Sequence, residues 1–194
     1  VLGHDLRTPL SAVLHGAELI SHLGGDARIV ETAQRIRSSG ERMEKMVRQL
    51  LDVAQMRVAE LTLFHVQANY GDVCRSIIDE IEHVATASRI ELECKGNLDG
   101  LFDADRISQV LSNLIGNALQ HGSQGAPVQV TLDGERPDDI VIQVRNRGAI
   151  AQQCMNRIFE PFAGGERQRT RGTGLGLGLY IVKRFVDAHS GRVT

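Results

Sequence analysis

The chain of 194 residues is 42% hydrophobic, 24% charged and 4% aromatic, which is enough apolar material for two modest folded domains and excludes a disordered or collagen-like protein. Its 22 Lys and Arg against 24 Asp and Glu give a formal net charge of -2, so no nucleic acid partner is expected. The sequence has no apolar run of membrane-spanning length, and its three cysteines form no Cys-x-x-Cys pair, so we expect a cytoplasmic chain without disulfides or a zinc site.

Residues 1–60 predict two antiparallel helices, an all-α helical hairpin that serves as the first domain. Apolar residues recur by threes and fours on both sides of a short break at Gly24-Gly25-Asp26. The expected core seam consists of Leu6, Leu10, Val13, Ala17, Ile20, Ile29, Ala33, Ile36, Gly40, Met43, Val47, Leu50 and Ala54. Beside it, further apolar residues would lack a partner in a lone hairpin, namely Leu2, Leu14, Leu19 and Leu51. We therefore expect a homodimeric four-helix bundle.

Residues 61–194 predict a second domain, because short β-rich runs now alternate with longer helical ones. The expected strands cover residues 61–66, 90–94, 128–132 and 140–144, and the expected helices cover residues 71–87, 103–121 and 175–189. This pattern indicates an α+β sandwich with helices on one face of a mixed sheet. Residues 192–194 are expected to begin a further strand.

The first helix carries a histidine outside the core seam. His4 shares a helix face with Arg7 and Thr8, and Pro9 removes a backbone hydrogen bond within one turn of the ring. A single histidine in this position is most often only exposed to solvent, so the spacing by itself leaves its role open.

The string from His4 to Leu10, HDLRTPL, resembles the H box of sensor histidine kinases of two-component systems. The resemblance implies that His4 accepts the phosphoryl group and that Asp5 orients its imidazole. It also implies that Thr8 helps to aim a water in dephosphorylation of the partner regulator. The alternative for Thr8 is a hydroxyl that bonds only its own backbone.

Three polar residues follow each other at intervals of four along the helix expected at 103–121: Asn113, Asn117 and His121. Asparagine is a poor helix former, and its amide oxygen suits Mg²⁺, although a solvated polar face is the plainer explanation. The segment resembles the N box of the ATPase superfamily of gyrase, heat-shock chaperones and histidine kinases. That resemblance implies ATP binding, with Asn117 as the Mg²⁺ ligand and Asn113 in support. Gln120 stands where many relatives carry a lysine.

A glycine-rich segment precedes the last helix and resembles the G2 box of the same family. Glycines there let backbone N–H groups approach phosphates, although a flexible linker would have a similar composition. The expected nucleotide-binding residues here are Gly172, Thr173, Gly174, Leu175 and Gly176. Three arginines just before them form an expected mobile lid that suits triphosphate, Arg167, Arg169 and Arg171. The segment 158–162 resembles the F box at the base of that lid.

The run from Val144 to Ile150 is the weakest match and resembles the G1 box. Family members usually carry an Asp followed by glycines, whereas this chain has Asn146 and Gly148. An amide oxygen can still accept a hydrogen bond from the adenine amino group. An Asn-for-Asp G1 box also occurs in kinases attached to bacterial photoreceptors and to other PAS or GAF sensors.

Five boxes in the family's order, H, N, G1, F and G2, identify the chain as a member of the sensor histidine kinases. The resemblance implies a protein-histidine kinase that uses ATP and Mg²⁺ to phosphorylate His4 and then an aspartate of a response regulator receiver domain, with possible phosphatase activity and an upstream sensor module. One alternative is a degenerate, non-catalytic dimeric scaffold with weak or no ATP binding. Another is an ATPase of the chaperone or gyrase kind, whose turnover would not depend on His4.

Overall fold

The computed structural model describes residues 10–11, 13–20, 27–58, 61–84, 89–123, 125–150, 152–163 and 175–194. The chain divides into two compact units, and each is described by itself. The described residues up to Val58 belong to the first unit, and Leu61–Ala163 together with Gly176–Thr194 form the second.

The first unit is helical, as expected. Helix α1 includes residues 10–11 and 13–20, and α2 is Ala27–Val58. The two helices approach closely at Gly40, where a Cβ atom would lie 2.6 Å from Cδ2 of Leu14. Ala17 and Ala33 are buried as well, at 3% and 1% exposure. Small side chains therefore allow α1 and α2 to pack together.

Not every residue of the expected seam is buried within this unit, and that part of the expectation is wrong. On α2 the large residues Ile29, Ile36, Met43 and Leu50 recur every seven positions and are each 41–51% exposed. Val13 and Ile20 on α1 are exposed as well. The physical reason is that one hairpin buries one row of α2, and this row holds the small residues that permit close approach. The neighbouring row of large apolar residues lies uncovered, and we name Ile29, Ile36, Met43 and Leu50 the heptad row.

The second unit contains two sheets. Strands β1 (Val66–Asn69) and β3 (Asp99–Phe102) form an antiparallel pair. Strands β2 (Ile90–Gly96), β4 (Val128–Gly134) and β5 (Val141–Arg145) form a mixed sheet in the order β2-β4-β5, with β2 parallel and β5 antiparallel to β4.

The strand expected at 61–66 is placed wrongly, because the observed strand begins only at Val66. The backbone N–H of Phe64 donates to the carboxylate of Asp103 at 2.9 Å instead of to a neighbouring strand. Strand β3 was not expected, and residues 191–194 form no strand.

The helices of this unit are α3 (Tyr70–Val84), α4 (Ala104–His121), the short α5 (Gln152–Met155) and α6 (Gly178–Ala188). Alternate residues of β4 point into the core, where they meet the apolar stripe of α4 and residues of α3. Helix α6 begins three residues later than expected, since Gly176 has a left-handed φ of 68° that interrupts the helix. Within the described part of the chain, no helix is long and apolar enough to cross a membrane.

Candidate nucleotide-binding site

The predicted asparagines lie on α4 at the edge of its apolar stripe, and Asn113 is one of the buried residues of the helix. The helix is capped by Asp103, whose Oδ1 accepts the N–H of Arg106 at 3.1 Å. Asn113 is buried, at 8% exposure, and Asn117 follows one turn later and is partly buried. A buried amide in mid-helix must satisfy its polar atoms, so the simple explanation of a solvated polar face does not fit Asn113.

The two asparagine amides face the first residue of α6. A Cβ atom on Gly178 would lie 3.2 Å from Oδ1 of Asn113 and 3.7 Å from Nδ2 of Asn117. Glycine therefore lets the N-terminus of α6 approach these amides closely, and the backbone N–H groups and helix dipole at that end favour an anion.

The predicted G1 residues lie against the C-terminal end of α4. Cβ atoms built on Gly122 and Gly148 would lie 3.6 Å and 3.1 Å from Nδ2 of Asn146, and the one on Gly148 would lie 2.9 Å from the carbonyl oxygen of His121. The N–H of Ser123 also donates to the carbonyl oxygen of Arg147 at 2.6 Å. The structure thus brings His121, Asn146 and Gly148 together, about 12 Å along α4 from Asn113 by helix rise.

The ends of the predicted lid meet each other. The backbone N–H of Phe162 donates to the carbonyl oxygen of Gly176 at 3.1 Å, and both residues have left-handed φ angles. The two sides of the segment 163–175 are therefore anchored together, directly before Leu177 and α6. Leu175 is partly buried.

Several predicted site residues lie outside the described residues: His4, Asp5, Thr8, Arg167, Arg169, Arg171, Gly172, Thr173 and Gly174. Two contributors were missed. Gly178 is the last of the glycines that alternate from Gly172 onward, and this alternation was the signal that could have placed it among the nucleotide-binding residues. Asp103, three residues before Arg106 at the start of an apolar stripe, carried the signature of a helix cap.

The residues around Gly178 suit a Mg²⁺-nucleotide better than a metal held by protein alone. The described residues include no cluster of three or more His, Cys, Asp or Glu that could hold a metal ion. Mg²⁺ needs few protein oxygens when phosphates and waters supply the rest. Oδ1 of Asn113 lies beside a helix N-terminus whose first residue has no side chain and is one such oxygen, whereas the atom of Asn117 that is nearest Gly178 is Nδ2.

Two family models match the chain in sequence. Residues 1–58 match the His Kinase A (phospho-acceptor) domain, and residues 102–194 match the histidine kinase-, DNA gyrase B-, and HSP90-like ATPase. Together they cover α1, α2 and the part of the second unit from Phe102 onward, and residues 59–101 lie outside both matches.

Known proteins resemble the chain along its whole length. A bacteriophytochrome of Pseudomonas aeruginosa is 36% identical over 197 residues, which is 100% of this chain and 26% of that protein. The probable sensor histidine kinase TcrY of Mycobacterium tuberculosis is 34% identical, over 98% of this chain and 41% of its own length. The crystal structure of full-length ShkA in complex with AMPPNP matches with a TM-score of 0.76 and 27% identity, over 99% of this chain and 41% of that one. The chain thus spans less than half the length of these relatives.

Proposed function

We infer that this chain, which belongs to the sensor histidine kinases of two-component systems, uses ATP to phosphorylate His4 and then passes the phosphoryl group to an aspartate of a response regulator. The observation that carries this proposal is the position of Gly178 against the amides of Asn113 and Asn117. A helix N-terminus beside two amides is an arrangement that binds a phosphate and its cation.

ATP would lie along α4. Its phosphates would meet the N-terminus of α6 at Gly178, and its adenine would meet Asn146 and Gly148 near His121. Asn117 would hold Mg²⁺, with Asn113 in support, and the cation would neutralise charge on the phosphates. Binding of AMPPNP by the similar ShkA supports an adenine nucleotide as the ligand.

The glycine-rich segment would close over the phosphates. Gly172, Thr173, Gly174, Leu175 and Gly176 would supply backbone N–H groups. The guanidinium groups of Arg167, Arg169 and Arg171 would bind phosphate oxygens. The hydrogen bond between Phe162 and Gly176 supports this proposal, because it anchors both ends of that segment beside α6.

His4 would be the nucleophile. A neutral ring nitrogen attacks the γ-phosphorus in line with the β–γ bridging oxygen, the P–O bond to ADP breaks, and a P–N bond forms. Asp5 would hold the imidazole in the tautomer whose attacking nitrogen is free of a proton. The phosphohistidine then donates to a receiver aspartate. In a separate phosphatase reaction, Thr8 would aim a water at the regulator's phosphoryl group, which would leave as inorganic phosphate.

We further propose that the helical unit is a homodimer. The heptad row leaves four large apolar residues uncovered along one side of α2, and a second copy would bury them in a four-helix bundle. The proposal also includes an upstream sensor module and a cytoplasmic location for this part of the protein.

Labelled ATP and Mg²⁺ test the proposed function. The unmodified chain should acquire label that is acid-labile and base-stable, and both His4→Gln and Asn117→Ala should lose it. A scaffold without catalysis would bind no nucleotide, and an ATPase would release phosphate equally well with His4→Gln.

A further inference from the structure

Asp103 connects three segments of the second unit. Its carboxylate accepts the N–H of Phe64 at 2.9 Å and the N–H of Arg106 at 3.1 Å, and its own N–H donates to Nε2 of His189 at 3.2 Å. These bonds join the chain that enters the unit, the start of α4 and the end of α6. Asp103 is 4% exposed, so water does not readily replace these partners.

The tautomer of His189 is set by its two partners. Its Nδ1 lies 2.7 Å from the carbonyl oxygen of Phe185, which can only accept, so Nδ1 carries the hydrogen. Its Nε2 faces the N–H of Asp103 and must therefore accept. The imidazole thus bridges the last turn of α6 to the cap of α4.

The same two helices hold the nucleotide site at their other ends. Asp103 precedes α4 and His189 follows α6, whereas Asn117 lies near the end of α4 and Gly178 begins α6. The helices therefore run antiparallel and are connected at both ends. The ring of His65, in the entering chain, also packs edge-on against the ring of His189, with centroids 5.9 Å apart.

We propose that His189 is a positioning residue for the nucleotide: its bond to Asp103 keeps α4 and α6 in the relative position that places Asn113 and Asn117 opposite Gly178. Through Phe64 and His65 the same bond connects this position to the chain that arrives from the helical unit. A displacement of residues 64–65 would then change nucleotide affinity. This inference rests on the proposed function only for its ligand, ATP.

Two substitutions separate positioning from general loss of packing. In His189→Gln the amide oxygen can replace Nε2 and accept from Asp103, whereas in His189→Asn the shorter amide can replace only the Nδ1 donor to Phe185. We expect the Gln variant to bind a non-hydrolysable ATP analogue within about twofold of the unmodified chain. We expect the Asn variant to bind it about tenfold more weakly, the scale of one unsatisfied buried donor.

A matched control is His83→Asn on α3, because Nδ1 of His83 also lies against a carbonyl oxygen four residues back, that of Asp79, at 2.9 Å. This variant should bind the analogue normally. Nitrogen-detected NMR of the unmodified chain gives a readout that needs no substitution: His189 should show the Nδ1–H tautomer.

Equal affinity of the Gln and Asn variants, or an Nε2–H tautomer of His189, would overturn the proposal. Analogue binding without phosphorylation of His4 would be a failure of the proposed function alone, and the affinity comparison stands in that case. Absence of analogue binding by the unmodified chain would overturn both.

Discussion

Phe162 and Gly176 are joined by a backbone hydrogen bond of 3.1 Å, although the whole predicted lid lies between them in sequence. Gly176 makes this bond with a φ of 68°, a conformation that costs other residues about 1–2 kcal/mol. The residues that flank the predicted lid are therefore held together by a hydrogen bond that involves a left-handed glycine.

Gly176→Ala should weaken nucleotide binding through this base. Gly125→Ala is a matched control, because Gly125 also has a positive φ, 77°, and a Cβ there meets no atom within 4 Å. Both variants should lose about 1–2 kcal/mol of unfolding free energy in urea, since both force a left-handed residue. Calorimetric titration with an ATP analogue should then separate them: equal nucleotide affinity in the two variants would mean that the lid base is unimportant for binding.

Gly178→Ala tests the close approach of α6 to the two asparagines. The new methyl group would lie 3.2 Å from Oδ1 of Asn113, so we expect nucleotide affinity to fall by tenfold or more while the fold survives. Gly116→Ala on α4 is the control, because its Cβ meets no atom within 4 Å and alanine favours a helix by about 1 kcal/mol. The control should bind normally and unfold at a higher temperature. Normal binding by Gly178→Ala would remove Gly178 from the site.

The carboxyl group of Asp103 should stabilise the fold at neutral pH and lose this effect in acid. Burial alone would raise the pKa of its carboxyl, but hydrogen bonds from Phe64 and Arg106 outweigh burial and lower the pKa below 3.8. The folded state therefore binds this proton less readily than the unfolded state, so the stabilisation is present above about pH 4 and disappears as the pH falls through the folded pKa. Asp103→Asn replaces one of the two accepting oxygens by an amide nitrogen that cannot accept, so it should cost about 1–2 kcal/mol at pH 7 and progressively less as the pH falls through the folded pKa, measured by urea unfolding. A cost independent of pH would contradict this account.

From the exposed heptad row we predict how two copies of the helical unit associate. Met43→Asp places a charge among large apolar residues that we propose to be buried between two copies, so it should raise the dimer dissociation constant by at least tenfold in sedimentation equilibrium. Gln34→Asp, at an exposed polar position of the same helix, adds the same charge and should leave association unchanged. Equal association of both variants would place the dimer contact elsewhere.

The elements that could be predicted from the sequence are those in which the spacing of apolar residues reflects the burial of one face. The helix expected at residues 103–121 is observed as α4, which extends to His121 and buries Ile107, Val110, Leu111, Ile115 and Ala118. Alternation in β4 likewise matches its buried face. Such a pattern depends only on which face of the element is buried, so it can be read from the residues of that element alone.

The features that the sequence did not predict depend on distant partners. The entering strand was placed too early because nothing local indicates that the N–H of Phe64 is taken by Asp103, 39 residues later. The heptad periodicity of α2 fits a packed seam, but it cannot say which row faces α1 and which row lies uncovered. The close approach of Gly178 to Asn113 depends on how two helices meet, which no spacing encodes.

The position of the transferred phosphoryl group shows directly whether the chain phosphorylates His4. The full chain is incubated with ATP and Mg²⁺, and ³¹P NMR is combined with peptide mapping at neutral to alkaline pH during the first turnovers. We expect a phosphoramidate on the ring of His4, formed with one ADP per phosphoryl group. ADP formed with no phosphoryl group on the chain, or an acid-stable phosphoester on a serine or threonine, would contradict it.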